Sequence, residues 1–155
     1  MTKTMVYMMG APAAGKTTVS RRMYADATFV DADEIAMRMP EYEAEHPERV
    51  HEAAMEIYEK VLEDVTRMNN EGLVVVDGTG YNVERMTERM TRSKECGWKV
   101  ELTYVVCPLE VSIQRNKTRG RTLPEDVVVR KYHMVKESFK AISPLADEVR
   151  VVETA

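Results

Sequence analysis

The segment Gly10-Ala-Pro-Ala-Ala-Gly15-Lys16-Thr17 satisfies the pattern G-x-x-x-x-G-K-[ST] at every position. The apolar run Met5 to Met9 precedes it, and a helical pattern from Lys16 to about Ala25 follows. Such a loop works only where a strand delivers it and a helix leaves it. Its glycines let the backbone curl until successive N–H groups face inward, and the helix adds the positive end of its dipole. Groups arranged in this way suit phosphate oxygens. Gly10, Ala13, Ala14, Gly15, Lys16, Thr17 and Thr18 are therefore the expected nucleotide-binding residues. Lys16 would reach the β- and γ-phosphates, and the Thr17 hydroxyl would ligate Mg²⁺.

The rest of the chain alternates between strand-like and helix-like patterns. Thr28 to Asp31 reads as a short strand that runs into a short helix ending near Pro40. From about Pro47 to Asn70, the residues Val50, Ala53, Ala54, Ile57, Tyr58, Val61, Leu62, Val65 and Met68 recur at three- and four-residue steps, one apolar stripe of a long helix. Leu73 to Val76 is a continuous apolar run, as in a parallel strand buried on both faces. Asn82 suits a helix cap, Gly97 a helix stop, and Trp98 to Val106 a further strand. Helices are expected over Leu109 to Thr118 and Pro124 to Phe139, with Val149 to Val152 as a last strand. This alternation implies an α/β fold, a parallel sheet flanked by helices, in one domain over residues 1–155.

Composition narrows the function classes. The 155 residues carry a net charge of -4, which argues against a general nucleic-acid coat. No run approaches the roughly 18 apolar residues of a membrane span, and the amino terminus lacks a signal peptide's layout. Cys96 and Cys107 have no metal spacing, so a reducing, cytoplasmic setting is expected. Charge is uneven, however: residues 41–64 hold nine acidic side chains against Arg49 and Lys60, and residues 110–136 hold seven basic against three acidic. The basic half suits an anion-binding region.

Three groups carry candidate chemistry. Asp31 and Asp33 sit at the carboxyl end of the second strand, where open α/β sheets place ligands. On an extended chain they would project the same way. A carboxylate there can accept the proton of a hydroxyl attacking the γ-phosphate, and Asp33 would also suit a helix N-cap. Asp77 ends the third strand at the same edge, suited to hold Mg²⁺ through water or to orient an acceptor or an arginine. Arg115 and Arg119 are four apart in a basic run to Arg121, placed to clamp phosphate oxygens. Tyr132 and the loop at Pro124 are candidates for the adenine border; His46, His51 and His133 have no metal spacing and no assigned role.

The ordered set Gly10 to Thr17, Asp31-Ala-Asp33-Glu34, Asp77-Gly-Thr79-Gly-Tyr-Asn82-Val-Glu-Arg85, Gly97-Trp98-Lys-Val-Glu101 and Arg115-Asn116-Lys-Thr-Arg119-Gly120 resembles the kinase domain of bacteriophage-type polynucleotide 5′-hydroxyl kinases. These belong to a wider group of zeta-toxin-like small kinases. The resemblance implies the P-loop kinase fold and transfer of the γ-phosphate of ATP to an alcohol, most simply the 5′-hydroxyl of a DNA or RNA end. It makes Asp33 the general base, Lys16 and Arg119 catalytic, and Arg119 part of a lid over about residues 109–123. Asp31, Asp77, Thr79 and Asn82 then belong to the acceptor pocket. Those kinases carry an arginine three residues after the base; here Ala36 stands there, and Arg38 is the nearest arginine. Arg38 lies about 140° from Asp33 around a helix. A nucleotide sugar, a small alcohol or a hydroxymethylated pyrimidine in DNA is the alternative acceptor, and a nucleotide switch without acceptor the third reading. The phosphatase domain that often follows in that family is not expected in a chain ending at Ala155.

Overall fold

The computed structural model describes residues 3–68, 72–119 and 122–154. Strands β1 (Lys3–Gly10), β2 (Thr28–Asp31), β3 (Gly72–Asp77), β4 (Lys99–Val106) and β5 (Glu148–Glu153) form one sheet in the order β2-β3-β1-β4-β5. Every neighbouring pair is parallel. The connections carry helices α1 (Lys16–Met23), α2 (Ala32–Met37), α3 (His51–Arg67), α4 (Val83–Glu95), α5 (Leu109–Thr118) and α6 (Glu125–Ile142). The α/β alternation expected from the sequence is the one observed.

Strand β1 is the axis of the molecule because both its faces are apolar. Met5, Tyr7 and Met9 pack with Tyr58 and Leu62 of α3, Met86 and Met90 of α4, and Val135 and Ile142 of α6. Val6 and Met8 point the other way, into a second cluster with Ala14, Val19 and Tyr24 around α1 and with Val111 of α5. Residues Met5 to Met9 are at most 1% exposed, and burial of each such side chain contributes about 1.5–3 kcal/mol. A strand so covered on both sides belongs in the middle of a parallel sheet.

The structure corrects several details. The long helix opens with a 3₁₀ turn at Pro47–Val50 and is α-helical from His51; Asn70, its expected end, lies outside the described residues. Its buried row is Val50, Ala54, Tyr58, Leu62 and Thr66, a strict four-residue repeat, whereas Ala53, Ile57 and Met68 are exposed. The helix meets the sheet along one narrow seam, and the flanking positions face solvent or the cleft described below. Helix α6 runs three residues past Phe139, because Ile142 is fully buried and adds one more turn to the core. The methionines divide as well: Met5, Met8, Met9, Met86 and Met90 are core, but Met23, Met37, Met68 and Met134 are exposed. No described helix is long and apolar enough to cross a membrane.

Candidate active site

Parallel strands bring the ends of β1, β2 and β3 to one edge, and the site is built there. The Gly10–Thr17 loop leaves β1 with Ala13 at φ 62° and Gly15 at φ 92°. These left-handed residues turn the backbone into the nest that the sequence motif anticipates. Helix α1 begins at Lys16. A second constraint holds the loop's entry: the Gly10 N–H donates to the Thr79 carbonyl at 3.1 Å. Gly80 packs against Met9 so closely that a Cβ would lie 2.6 Å from the Met9 Cβ, at a φ of 80° that already favours glycine.

Asp31 and Asp77 are register partners on β2 and β3, side by side at the carboxyl edge. Asp77 is 4% exposed at its side chain, and its Oδ1 lies 3.3 Å from Lys16 Nζ. Both carboxylate oxygens are otherwise buried without a hydrogen-bond donor among the described residues. The P-loop lysine thus rests on the β3 carboxylate, while the Tyr58 hydroxyl of α3 donates to the Asp77 backbone carbonyl at 3.3 Å.

Asp31 and Asp33 do not share an extended chain. Asp31 caps α2, accepting from the Asp33 N–H at 2.9 Å, so the cap is Asp31 and Asp33 stands in the first helical turn. Helix onset at Ala32 rotates Asp33 away from its extended direction, yet both carboxylates still border one cavity. Asp33 is exposed. Burial, and then the charge of Asp77, raise the Asp31 carboxyl above its usual range. Arg21 braces it weakly, 3.8 Å from Asp31 and 3.3 Å from Glu34.

A raised pKa means that folding favours the protonated form. That stabilisation is complete below the ordinary aspartate value and is lost as pH climbs through the raised one. Asp31→Asn keeps a capping oxygen and removes the charge. The variant is expected to melt above the parent at pH 7.5 and level with it near pH 3. Melting curves across that range decide; a lower melting temperature at pH 7.5 would mean that the Arg21 pair dominates.

The cavity measures about 950 Å³. Lys16, Thr17, Asp31, Asp33, Asp77, Thr79 and Asn82 border it, so most of the expected acceptor residues converge. Asn82 also caps α4, accepting from the Arg85 N–H at 3.0 Å. Arg38 does not join them: it closes the exposed end of α2 and lies outside the cavity lining.

Arg115 supports the loop from behind. Its guanidinium donates to the carbonyls of Ala13 and Ala14 at 3.3 and 3.1 Å and to the Thr154 hydroxyl at 3.1 Å. Arg119 is exposed just past the end of α5. Gly120 and Arg121 lie outside the described residues. Tyr132 donates to the Cys107 carbonyl at 2.8 Å.

Several residues to which the sequence assigns no separate role shape the site. Asn116 is buried and bonds both the carbonyl and the N–H of Leu123, tying together the two ends of the segment that carries Arg119. Thr154 donates to the Ala14 carbonyl at 2.6 Å from beyond the last strand. Glu52, Glu56 and Glu59 of α3 form one wall of the cavity, and Arg85 and Arg89 of α4 belong to its lining. Asn116 and Arg85 stood in the motifs that carry the family resemblance, and Arg85, Arg89 and Arg92 recur on one helix face; no sequence signal marks Thr154 or any one glutamate of α3.

A family model described as an AAA domain matches residues 5–142, most of the chain and every element from β1 to α6. The chain belongs to that family. The L-seryl-tRNA(Sec) kinase of Methanococcus maripaludis is 24% identical over 135 residues, covering 83% of this chain and 51% of that enzyme. This chain therefore spans about half the length of the curated relative it matches. Solved structures of similar fold include a chain of AvrRxo1-ORF1:-ORF2 with ATP, at TM-score 0.76 and 21% identity over 99% of this chain and 55% of that one. Another comes from the PezAT toxin-antitoxin system of Streptococcus pneumoniae, at TM-score 0.71 and 16% identity over 98% of this chain and 68% of that one. The fold is that of the P-loop kinases.

Proposed function

We propose that this protein is an ATP-dependent kinase that phosphorylates a hydroxyl on a nucleic acid, most simply the 5′-hydroxyl of a DNA or RNA end. The observation that carries this reading is the shared cavity. Lys16 and Thr17, which belong to the triphosphate side, and Asp33, whose carboxylate has no partner among the described residues, open onto the same space. A γ-phosphate held at Lys16 would face an alcohol delivered to Asp33. The alcohol oxygen bonds to the γ-phosphorus, its proton passes to the Asp33 carboxylate, and ADP leaves with the electrons of the broken P–O bond.

Lys16 would neutralise charge on the transferred group, and Arg119, exposed just past the end of α5, would close over the phosphates. Mg²⁺ suits the residues present. Thr17 and the donor-starved Asp77 carboxylate are those that would hold it, and it would neutralise the phosphate charge.

The two long walls of the cavity favour a nucleotide unit as acceptor. The carboxylates of Glu52 and Glu56 have no partner among the described residues and can accept from sugar hydroxyls or base amino groups. On α4, Arg85, which forms no ion pair among the described residues, offers its guanidinium to a phosphate. The similarity to a kinase whose name specifies a tRNA-borne serine is in keeping with such an acceptor. Arg38, outside the cavity, favours a second reading in which the hydroxyl sits on a hydroxymethylated base within the strand.

Labelled ATP offered with 5′-hydroxyl DNA, 5′-hydroxyl RNA, end-blocked DNA carrying hydroxymethyluracil, and sugar nucleotides tests both. Label at oligonucleotide 5′ ends is the expected result. Label only on the blocked DNA would establish the second reading, and label only on sugar nucleotides would overturn both.

A further inference from the structure

The face of α4 directed at α3 carries Arg85, Arg89 and Arg92, spaced so that all three side chains share one side of the helix. They line a second cavity of about 240 Å³ together with Glu59 and Glu88. Glu59, Arg85 and Arg89 border both this cavity and the large one, so the two meet at these side chains. Its five charged groups sum to 3 - 2 = +1, in contrast to the acid-rich wall of α3 alongside.

The three arginines are held to different degrees. Arg89 pairs with Glu59 and lies 5.2 Å from the centre of the Tyr58 ring. Burial works against its charge, but the Glu59 hydrogen bond and the neighbouring tyrosines more than offset it, so its pKa is raised. Arg92 reaches Glu88 only at 3.9 Å. The Nε–H groups of Arg89 and Arg92 are both buried and lack any acceptor among the described residues. Arg85 is exposed and forms no ion pair among the described residues. Donors left unsatisfied beside a cleft, on a row with one surplus positive charge, suit a singly charged anion with several acceptor oxygens. A phosphodiester has that chemistry.

We propose that the Arg85–Arg89–Arg92 face of α4 is a phosphodiester subsite, which holds the acceptor strand's backbone while its terminal hydroxyl lies at Asp33. The assignment rests on the nucleic-acid reading above and deepens it, by naming what recognises the strand. Arg85, at the junction of the two cavities, takes the phosphate nearest the transfer centre. Arg92 serves the next one along, and Arg89 stays fixed by Glu59 as the hinge between them. The acidic α3 wall keeps a second strand out, so a single-stranded end is preferred over a blunt duplex.

Binding and transfer are to be measured separately with 5′-hydroxyl single strands of two to eight nucleotides, DNA and RNA, on the full chain. Fluorescence anisotropy reads binding without requiring turnover, and labelled ATP reads KM. Arg85→Gln is expected to weaken binding and raise the acceptor KM by roughly ten-fold, the scale of one charge-assisted hydrogen bond. The slope of log affinity against log salt should shrink by about 0.7, one single-strand phosphate contact. Arg92→Gln should do so only for strands longer than two nucleotides, and Arg130→Gln, on α6 and outside both cavities, should do neither.

Unchanged affinity and salt slope in Arg85→Gln, or a parent that binds no oligonucleotide, would overturn the subsite. A parent that binds strands through Arg85 but transfers no phosphate to them would keep the subsite and overturn the end-kinase reading instead.

Discussion

Asp33→Asn is expected to bind ATP as the parent does and to transfer its γ-phosphate about 10²–10⁴-fold more slowly, the range contributed by a positioned general base. The substitution suits the test because Asp33 is exposed in the first turn of α2, and its backbone N–H, not its side chain, makes the local bond to Asp31. Asparagine keeps shape and helix, so stability should stay within about 0.5 kcal/mol of the parent. The comparison with Asp31→Asn gives the result its meaning. Both carboxylates border the cavity, but Asp31 is committed to capping α2 and sits beside Asp77 on the sheet. If Asp31→Asn abolished transfer and Asp33→Asn did not, the proton acceptor would be the strand residue and the helical one an orienting group. Single-turnover kinetics at saturating ATP separate the two outcomes from a loss of nucleotide binding.

The architecture was legible because each strand here carries its own signature. Apolar runs buried on both faces, such as Met5 to Met9 and Val74 to Val76, fit only the middle of a parallel sheet. Asn82 and Gly97, at φ 90°, bound α4 as their side-chain chemistry requires. What periodicity could not show is how wide a helix's buried face is. Ile57 and Leu62 are equally apolar in the sequence, yet one is 42% exposed and the other fully buried, because α3 touches the sheet along a single row.

The candidate site was legible in proportion to how local its chemistry is. The phosphate loop is one contiguous segment, so its spacing alone implied its shape. Asp31 and Asp77 could be placed at the same edge, since strand ends in a parallel sheet share one side. Whether Asp33 follows as strand or helix depends on one capping bond, and the extended alternative fits the residue types equally well. The supports of Arg115 come from Ala13, Ala14 and Thr154, up to 102 residues away along the chain, and no spacing rule joins such partners. The arginine row of α4 was visible as a repeat, but its meaning depends on the cleft that α3 and α4 border together, bridged by the Arg89–Glu59 pair.

Lys16→Met should do more than stop catalysis. Loss of the lysine proposed to neutralise the transferred phosphate is expected to slow transfer about 10²–10³-fold, as for other preorganised charge-stabilising groups. In this chain the same ammonium is also the counter-charge of Asp77, whose carboxylate is 4% exposed and has no hydrogen-bond donor among the described residues. Removing Lys16 therefore strands a buried anion. Such a loss costs about 1–3 kcal/mol, and a domain of this size responds with about 2–4 °C of melting temperature per kcal/mol. The decisive comparison is the double variant Lys16→Met/Asp77→Asn, in which the stranded charge is gone. It should recover most of the lost melting temperature and none of the transfer rate. A Lys16→Met protein as stable as the parent would mean that water reaches Asp77 once the lysine leaves, and that the pair seen at 3.3 Å contributes nothing net to folding. A double variant no more stable than the single would place the cost in lost packing of the lysine stem. The expected pattern, stability restored without activity, would show that the Lys16–Asp77 contact contributes to folding separately from the part proposed for Lys16 in transfer.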